Sequence, residues 1–400
     1  MTTLLAGRLR RAIFALSGSQ VRVLPRELPA DSFPVVDPEI AQGTCFPMFA
    51  YEVAQAIDLD EAERRLFAGT ERQTIKQKRR APASFEYRPA PLRVTRGGEP
   101  QTVDGYRTAP AVEIVLYDFG AVSVSYAIPL AGALATLPAL AEVLWGNERL
   151  LKDSRQHVET LIGTLGDAAA RPHVADFVED YSIFHIAAFT QPCDAAMLWT
   201  SQAQTVAQVL RAARHPLSQQ EIADATALRL SFGPNDATII DTDAAILFDP
   251  EGEDVRDLIE FANTQLLEMR YLDHELDDVL EGAYETLLAR RWRRWRLAPV
   301  GPDLRSLARL QLDAAILFEQ VTNALKLVGD QFLARVYSLA SRRFHLPEWD
   351  TSITRKLQTI DGLYEKMTDR ATSRRTEMLE WIINVLIAVE IGLSLITLLP

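Results

Sequence analysis

Cysteine is nearly absent: Cys45 and Cys193 are the only two in 400 residues, and they lie far apart. A disulfide framework and a Cys-rich zinc cluster are thereby excluded, and a reducing compartment is suited. Histidine is scarce too, and the six, at 157, 173, 185, 215, 274 and 345, never fall at close metal-ligand spacing. No HExxH, GxSxG, phosphate loop or dinucleotide fingerprint occurs, so the common signatures of hydrolases and nucleotide enzymes are missing. VTRGGEP, with Gly97 and Gly98, reads as a turn. Positive charge is in deficit: 42 Lys and Arg stand against 54 Asp and Glu, a formal −12. Such a body repels nucleic acid and anionic lipid except at local patches. Near the start, Arg8, Arg10 and Arg11 precede an apolar stretch of only Ala12 to Leu16, too short for a signal peptide, and this reads as a basic surface segment.

What is present divides the chain in two, as its length allows. A β-compatible stretch from Thr44 to Phe49 leads to DLDEAERRLFAG, where Asp58 caps a short helix and Glu61 supplies the capping-box partner. A basic run with Lys76, Lys78, Arg79 and Arg80 reads as a solvated loop or hairpin edge. Val112 to Tyr117 and Val122 to Ile128, separated by Asp118-Phe119-Gly120, predict a hairpin. LAGALATLPALAEVLW predicts a helix, and VEDYSIFHIAAFT a strand after an irregular Ala/Gly-rich segment. Short strand-like stretches at Ala227 to Phe232 and Thr238 to Phe248 extend or edge the domain. The fold class expected is α+β, with helices on one face of a mainly antiparallel sheet.

After Pro250 three long helical segments follow, at about 253–296, 303–344 and 351 onward. Leu310, Ala314, Leu317, Val321, Ala324 and Val328 form one apolar seam, and Ile353, Leu357, Ile360, Tyr364, Met367, Ala371, Arg374, Met378 and Trp381 another. With Pro347 between them, the expectation is an antiparallel coiled-coil hairpin. The domains expected are thus an N-terminal extension (1–43), an α+β domain (44–250), a long-helix coiled-coil domain (251–380) and a C-terminal transmembrane anchor (381–400).

The anchor is LEWIINVLIAVEIGLSLITLLP. Ile382 to Leu399 holds twelve Leu, Ile or Val in 18 residues, about 27 Å of helix, close to a bilayer's hydrocarbon thickness. Lys366, Arg370, Arg374 and Arg375 precede it, so the positive-inside rule places the body in the cytoplasm, with a single pass through the cytoplasmic membrane. Glu390, Ser394 and Thr397 share one face, which predicts a protein contact within the membrane and a homo-oligomer.

RRTEMLEWIINVLIAVEIGL, VEIVLYDFGAVSVSY and EFANTQLLEMRYLDHELDDVLEGAYE together resemble the required-for-meiotic-nuclear-division family, whose bacterial members carry a domain of unknown function. The resemblance covers most of the chain after about residue 110. It implies an inner-membrane protein that assembles into complexes and, in eukaryotic relatives, supports organellar translation. It brings no catalytic residue with it.

Two further clusters bear on function. Arg290, Arg291, Trp292, Arg293, Arg294, Trp295 and Arg296 suit a helix end, an RNA contact, or, with Arg374, Arg375 and Trp381, the membrane interface. Asp273, His274, Glu275, Asp277, Asp278 and Glu281 form an acidic helix, a solvated face or part of a metal site. Asp241 and Asp243 read as turn formers rather than a carboxylate pair. The function expected is a membrane-anchored, self-associating scaffold, with no enzyme activity and no cofactor. Its partners would be lipid, itself and an unidentified protein. The alternatives are a metal-dependent hydrolase using the acidic helix, or a membrane tether for RNA or the ribosome.

Overall fold

A computed structural model describes the backbone of residues 37–68, 75–79, 89–292 and 331–398, and the side chains of 37–67, 89–281, 331–363 and 380–388. In chain order its elements begin with strand β1 (Glu39–Glu52), β2 (Ala56–Ile57), helix α1 (Leu59–Ala68), β3 (Ile75–Arg79) and β4 (Leu92–Gly97). Next come β5 (Thr102–Val103), β6 (Tyr106–Arg107), β7 (Ala111–Leu116), β8 (Ala121–Tyr126), β9 (Ile128–Ala133), α2 (Leu137–Leu144) and α3 (Glu148–Leu165). They are followed by β10 (Ala169–Ala170), β11 (Val178–Phe189), α4 (Ala203–Leu210), α5 (Gln219–Ala225), β12 (Arg229–Leu230), β13 (Ala237–Ile240) and β14 (Ala244–Phe248). The last three are α6 (Glu253–Trp292), α7 (Gln331–Arg343) and α8 (Leu346–Leu398).

The central sheet runs in the order β12, β13, β14, β11, β1, β8, β7, β4, β3, with β9 beside the first half of β1. All its pairs are antiparallel except β11 with β14, so it is mixed but mainly antiparallel, and the fold is α+β. β1 faces β9 as far as Cys45 and β8 from Met48 onward. Pro47, which has no N–H to offer a ladder, falls at that change of partner. The hairpin expected from Val112 to Ile128 is present, with Leu116 opposite Val122 and Gly120 closing the turn at φ +109°. A Cβ on Gly120 would stand 1.7 Å from the Ala54 carbonyl oxygen, so no other residue fits there.

The alternation of side chains along the strands decides where the cores lie. Phe49 and Tyr51 of β1 point to one face, where α1 to α5 cover them; Met48 and Ala50 point to the other, where α6 and α7 cover them. Helices therefore lie on both faces of the sheet, not on one. The first turns of α6 supply Val255, Leu258, Ile259, Phe261 and Ala262, and α7 supplies Leu333, Val336, Tyr337 and Ala340.

Several expectations need correction. The segment 148–165, read as irregular, is an 18-residue helix capped by Asn147, whose side chain accepts the Leu150 N–H at 3.0 Å. It buries Leu150, Ser154, Val158, Leu161 and Leu165, a helical spacing masked in sequence by its charged outer face. The helix expected from Leu130 starts only at Leu137, because Ile128 to Ala133 pair with β1 instead. Asp58 does cap α1, accepting the Glu61 N–H at 3.0 Å, but the Glu61 carboxylate turns to Arg64 and Arg65.

Among the described residues, the second seam of the expected coiled-coil hairpin packs on α6. Ile353, Leu357 and Ile360 of the second seam pack on Met269, Leu272 and Leu276 of α6. Asp273 accepts from Ser352 at 3.1 Å and from Lys356 at 2.7 Å, and Asp277 meets Lys356 at 2.7 Å. Equal steps along both helices mean that α8 runs beside α6 in the same direction. α7 belongs to the sheet core. The first seam, from Leu310 to Val328, lies outside the described residues. Pro347 sits in the first turn of α8, where its missing N–H costs nothing, and His345 at φ +54° makes the reversal before it.

Candidate functional site

α6 carries polar residues on every side of its first half, yet the sheet and α7 bury them. Glu260, Asn263, Thr264, Gln265 and Glu268 are all almost fully inaccessible. Buried polar groups need partners inside the protein, and the partners sort this seam into a structural part and an unsatisfied part.

The structural part surrounds Glu260. Ser123 of β8 donates to it at 2.7 Å, and Arg93 of β4 reaches it at 3.3 Å and Asp257 at 2.9 Å. Arg93 also meets Glu113, which Arg256 meets at 3.2 Å while lying over the Phe46 ring. Two guanidinium groups thus tie three carboxylates from β7 and α6 into one network. Gln265 is satisfied by the Tyr337 hydroxyl.

Two turns along, Glu268 meets Glu52 instead of a cation. β1 places Met48, Ala50 and Glu52 on the same face, so the strand period that builds the core also aims Glu52 at α6. Gly120 lets the hairpin turn close over it, with Glu52 Oε1 3.2 Å from where a Cβ would be. Glu268 is fully buried and Glu52 is 3% exposed. No donor from another described residue reaches Glu52 Oε2 or either oxygen of Glu268.

Burial, then repulsion by Glu268, holds the Glu52 carboxyl well above the usual carboxylate range; burial pushes Glu268 up to about 7. Two carboxyls buried side by side both favour the neutral form, since each buried charge costs free energy and repels the other. Around the pair stand Glu275 and Tyr271 on α6, with the Tyr271 hydroxyl 3.3 Å from His173 Nε2. Beside it, Arg270 pairs with Glu179 and lies 4.6 Å from the Phe177 ring centre, and burial still raises Glu179 to about 7. Chemically this is a buried pair of carboxyls held toward the protonated form, with Glu268 pushed up to about 7. Among the described residues no group of three or more His, Cys, Asp or Glu could hold a metal ion.

The residues singled out in sequence are distributed differently. Trp381 is 72% exposed on α8. Glu390, Ser394, Thr397, Arg374 and Arg375 lie on the α8 backbone and Arg290, Arg291 and Trp292 on that of α6, but their side chains fall outside the described residues, as do Arg293, Arg294, Trp295 and Arg296 altogether. Of the acidic helix, Asp273 and Asp277 hold Lys356 and so fasten α6 to α8. Asp241 forms its turn, accepting the Thr242 N–H at 2.7 Å, and is also buried against Arg211 and Arg343. Glu52 and Glu268 are not among the residues singled out. The available signals were a glutamate in phase with Met48 and Ala50, and a helix in which polar residues interrupt every face.

The chain is 23% identical over 221 residues to the uncharacterized protein MJ0711 of Methanocaldococcus jannaschii, a match covering 55% of this chain and 66% of that protein, just under two thirds of its length. No solved structure matches the chain. A family model for the N-terminal domain of MJ0711 matches residues 42–254, from within β1 to the first residues of α6. That is more than half of the chain, and the chain belongs to the family of the uncharacterized protein MJ0711, N-terminal domain.

Proposed function

We propose that this protein is a membrane-anchored, self-associating scaffold without catalytic activity, its sheet domain held at the cytoplasmic face by α8 and presented to a protein partner. The observation that supports the reading most is the exposure of Trp381, Ile382, Ile383, Val385, Leu386 and Ile387, at 43–72% each. Seven consecutive helical positions cover the whole circumference at about 100° per residue, and a partner protein would cover only one side. A surrounding apolar medium covers them all. Among the described residues no helix is long and apolar enough to cross a membrane, and the side chains of this run are described only to Ala388. The proposal therefore takes the remaining length, to Leu399, from sequence. It keeps Glu390, Ser394 and Thr397 as the contact between copies, Arg290 to Arg296 with Arg374 and Arg375 at the interface, and the kinship to the required-for-meiotic-nuclear-division family in the closing helix.

The test is membrane fractionation with alkaline-carbonate washing of the full chain and of a version lacking residues 381–400. The full chain should stay in the membrane pellet and the shortened one in the supernatant. If carbonate releases both equally, the anchor is refuted.

A further inference from the structure

The Glu52–Glu268 pair joins two elements that are held very differently. The end of β1 is fixed on both edges. On one, the Gly120 carbonyl of the hairpin turn accepts the Val53 and Ala54 N–H groups at 3.0 and 3.2 Å. On the other, the irregular segment 171–177 donates the His173 and Ala175 N–H groups to the Val53 and Glu52 carbonyls at 2.9 and 3.0 Å. The first turns of α6 are fixed as well, by the Arg93 and Arg256 network around Glu260. From Glu268 onward the polar ties of α6 to the sheet side lie nearer solvent. Arg270, its side chain 40% exposed, pairs with Glu179, and the Tyr271 hydroxyl meets the exposed His173.

No cation stands between the two carboxyls to hold them together when both are charged. On α6, Tyr271 and Glu275 follow Glu268 at one and two turns on the same face, half-buried, and lead from the pair toward solvent. Segment 171–177 contributes His173, the hairpin turn carries Asp118, and on β11 Glu179 takes up Arg270. Lys356 of α8 is held by Asp273 and Asp277 on another face of α6. Ionisation of both Glu52 and Glu268 would therefore set two buried charges against each other, and the less firmly tied partner would yield.

We propose that this pair is a proton-operated latch between the sheet domain and the packed helices α6 and α8. Protonated, the two carboxyls lie together and α6 rests on β1. Ionised, they repel, and α6 moves from Glu268 onward, carrying α8 with it through Ile353, Ile360 and the Asp273–Lys356 contact. The His173–Tyr271 contact parts and segment 171–177 loosens. Burial raises both carboxyls, Glu268 from its ordinary 4.5 to about 7. The latch is therefore closed at low pH and opens as pH rises through about 7. It stands whether or not the closing helix enters a membrane.

Hydrogen–deuterium exchange of the full chain in mild detergent, at about pH 5.5 and about pH 8 and corrected for intrinsic exchange, tests it. Protection of residues 171–178 and 264–281 should fall at least about tenfold at the higher pH, while β7 and β8 keep theirs. Glu268→Gln should cut that difference to less than about threefold, and Glu52→Gln, the other half of the pair, should act alike. His173→Asn should leave the pH response in 264–281, since an imidazole would open the contact on gaining a proton rather than on losing one. Equal protection at the two pH values overturns the latch. So does a loss that extends equally through β7 and β8, or an undiminished response in a folded Glu268→Gln or Glu52→Gln variant. Abolition of the response by His173→Asn assigns it to the imidazole and overturns the latch as well.

Discussion

Glu268 faces another carboxyl at full burial, and the sign of its effect on stability follows from that. Its folded value of about 7 lies above the ordinary 4.5, so the native state prefers the protonated pair. The stability tied to that proton is complete below about pH 4.5 and is lost as pH rises through about 7, on the order of 3 kcal/mol in all. Glu179, raised in the same direction, adds to the trend. Urea unfolding should therefore show the native chain weaker at pH 8.5 than at pH 6. Glu268→Gln, a neutral side chain of the same shape, should remove much of that difference and be the more stable protein at pH 8.5. Identical pH dependence in the two proteins would show that folding does not raise the Glu268 carboxyl above its ordinary range.

At the level of elements, the contact of α8 with α6 rests on an apolar strip and one lysine. Ile353 is fully buried there, so Ile353→Ala should cost about 3 kcal/mol through lost burial and the cavity it leaves. Lys356→Met should cost less, about 1–2 kcal/mol, by leaving Asp273 half-enclosed without its cation. Both are read from urea midpoints, and a native midpoint for Ile353→Ala would mean that the two helices separate freely. The elements that sequence revealed are those with one strong signal. β7 and β8 are β-branched runs around a glycine turn, and α1 carries its own cap. α3 was hidden because a charged helix with one apolar stripe looks locally like a polar segment. The seam of α8 was visible, but not its partner: Ile353 and Ile360 fit an antiparallel arm as well as α6, and nothing local separates the two. Glu52 and Glu268 lie 216 positions apart in sequence, and only tertiary pairing of β1 with α6 makes them a site.

For the molecule as a whole, the family match ends where α6 begins, so the sheet domain is what this chain shares with that N-terminal domain family, and the long helices carry the proposed anchoring. If copies meet through the closing helix, Glu390→Ala should leave membrane retention intact while lowering the oligomer mass measured in mild detergent. Unchanged mass would remove that role from Glu390.

α8 is one uninterrupted helix from Ile353, seated against α6, to Trp381 and beyond. Its backbone therefore links the sheet domain to the apolar end in azimuth as well as in distance. From Ile360 to Trp381 the rise is about 32 Å, and each residue turns the helix by about 100°. Removing seven residues from that interval would draw the two ends closer by about 10 Å with almost no rotation, whereas removing five would turn the sheet domain roughly 140° about the helix axis. Natural length changes here would be tolerated in whole multiples of that period wherever the direction in which the sheet domain faces matters.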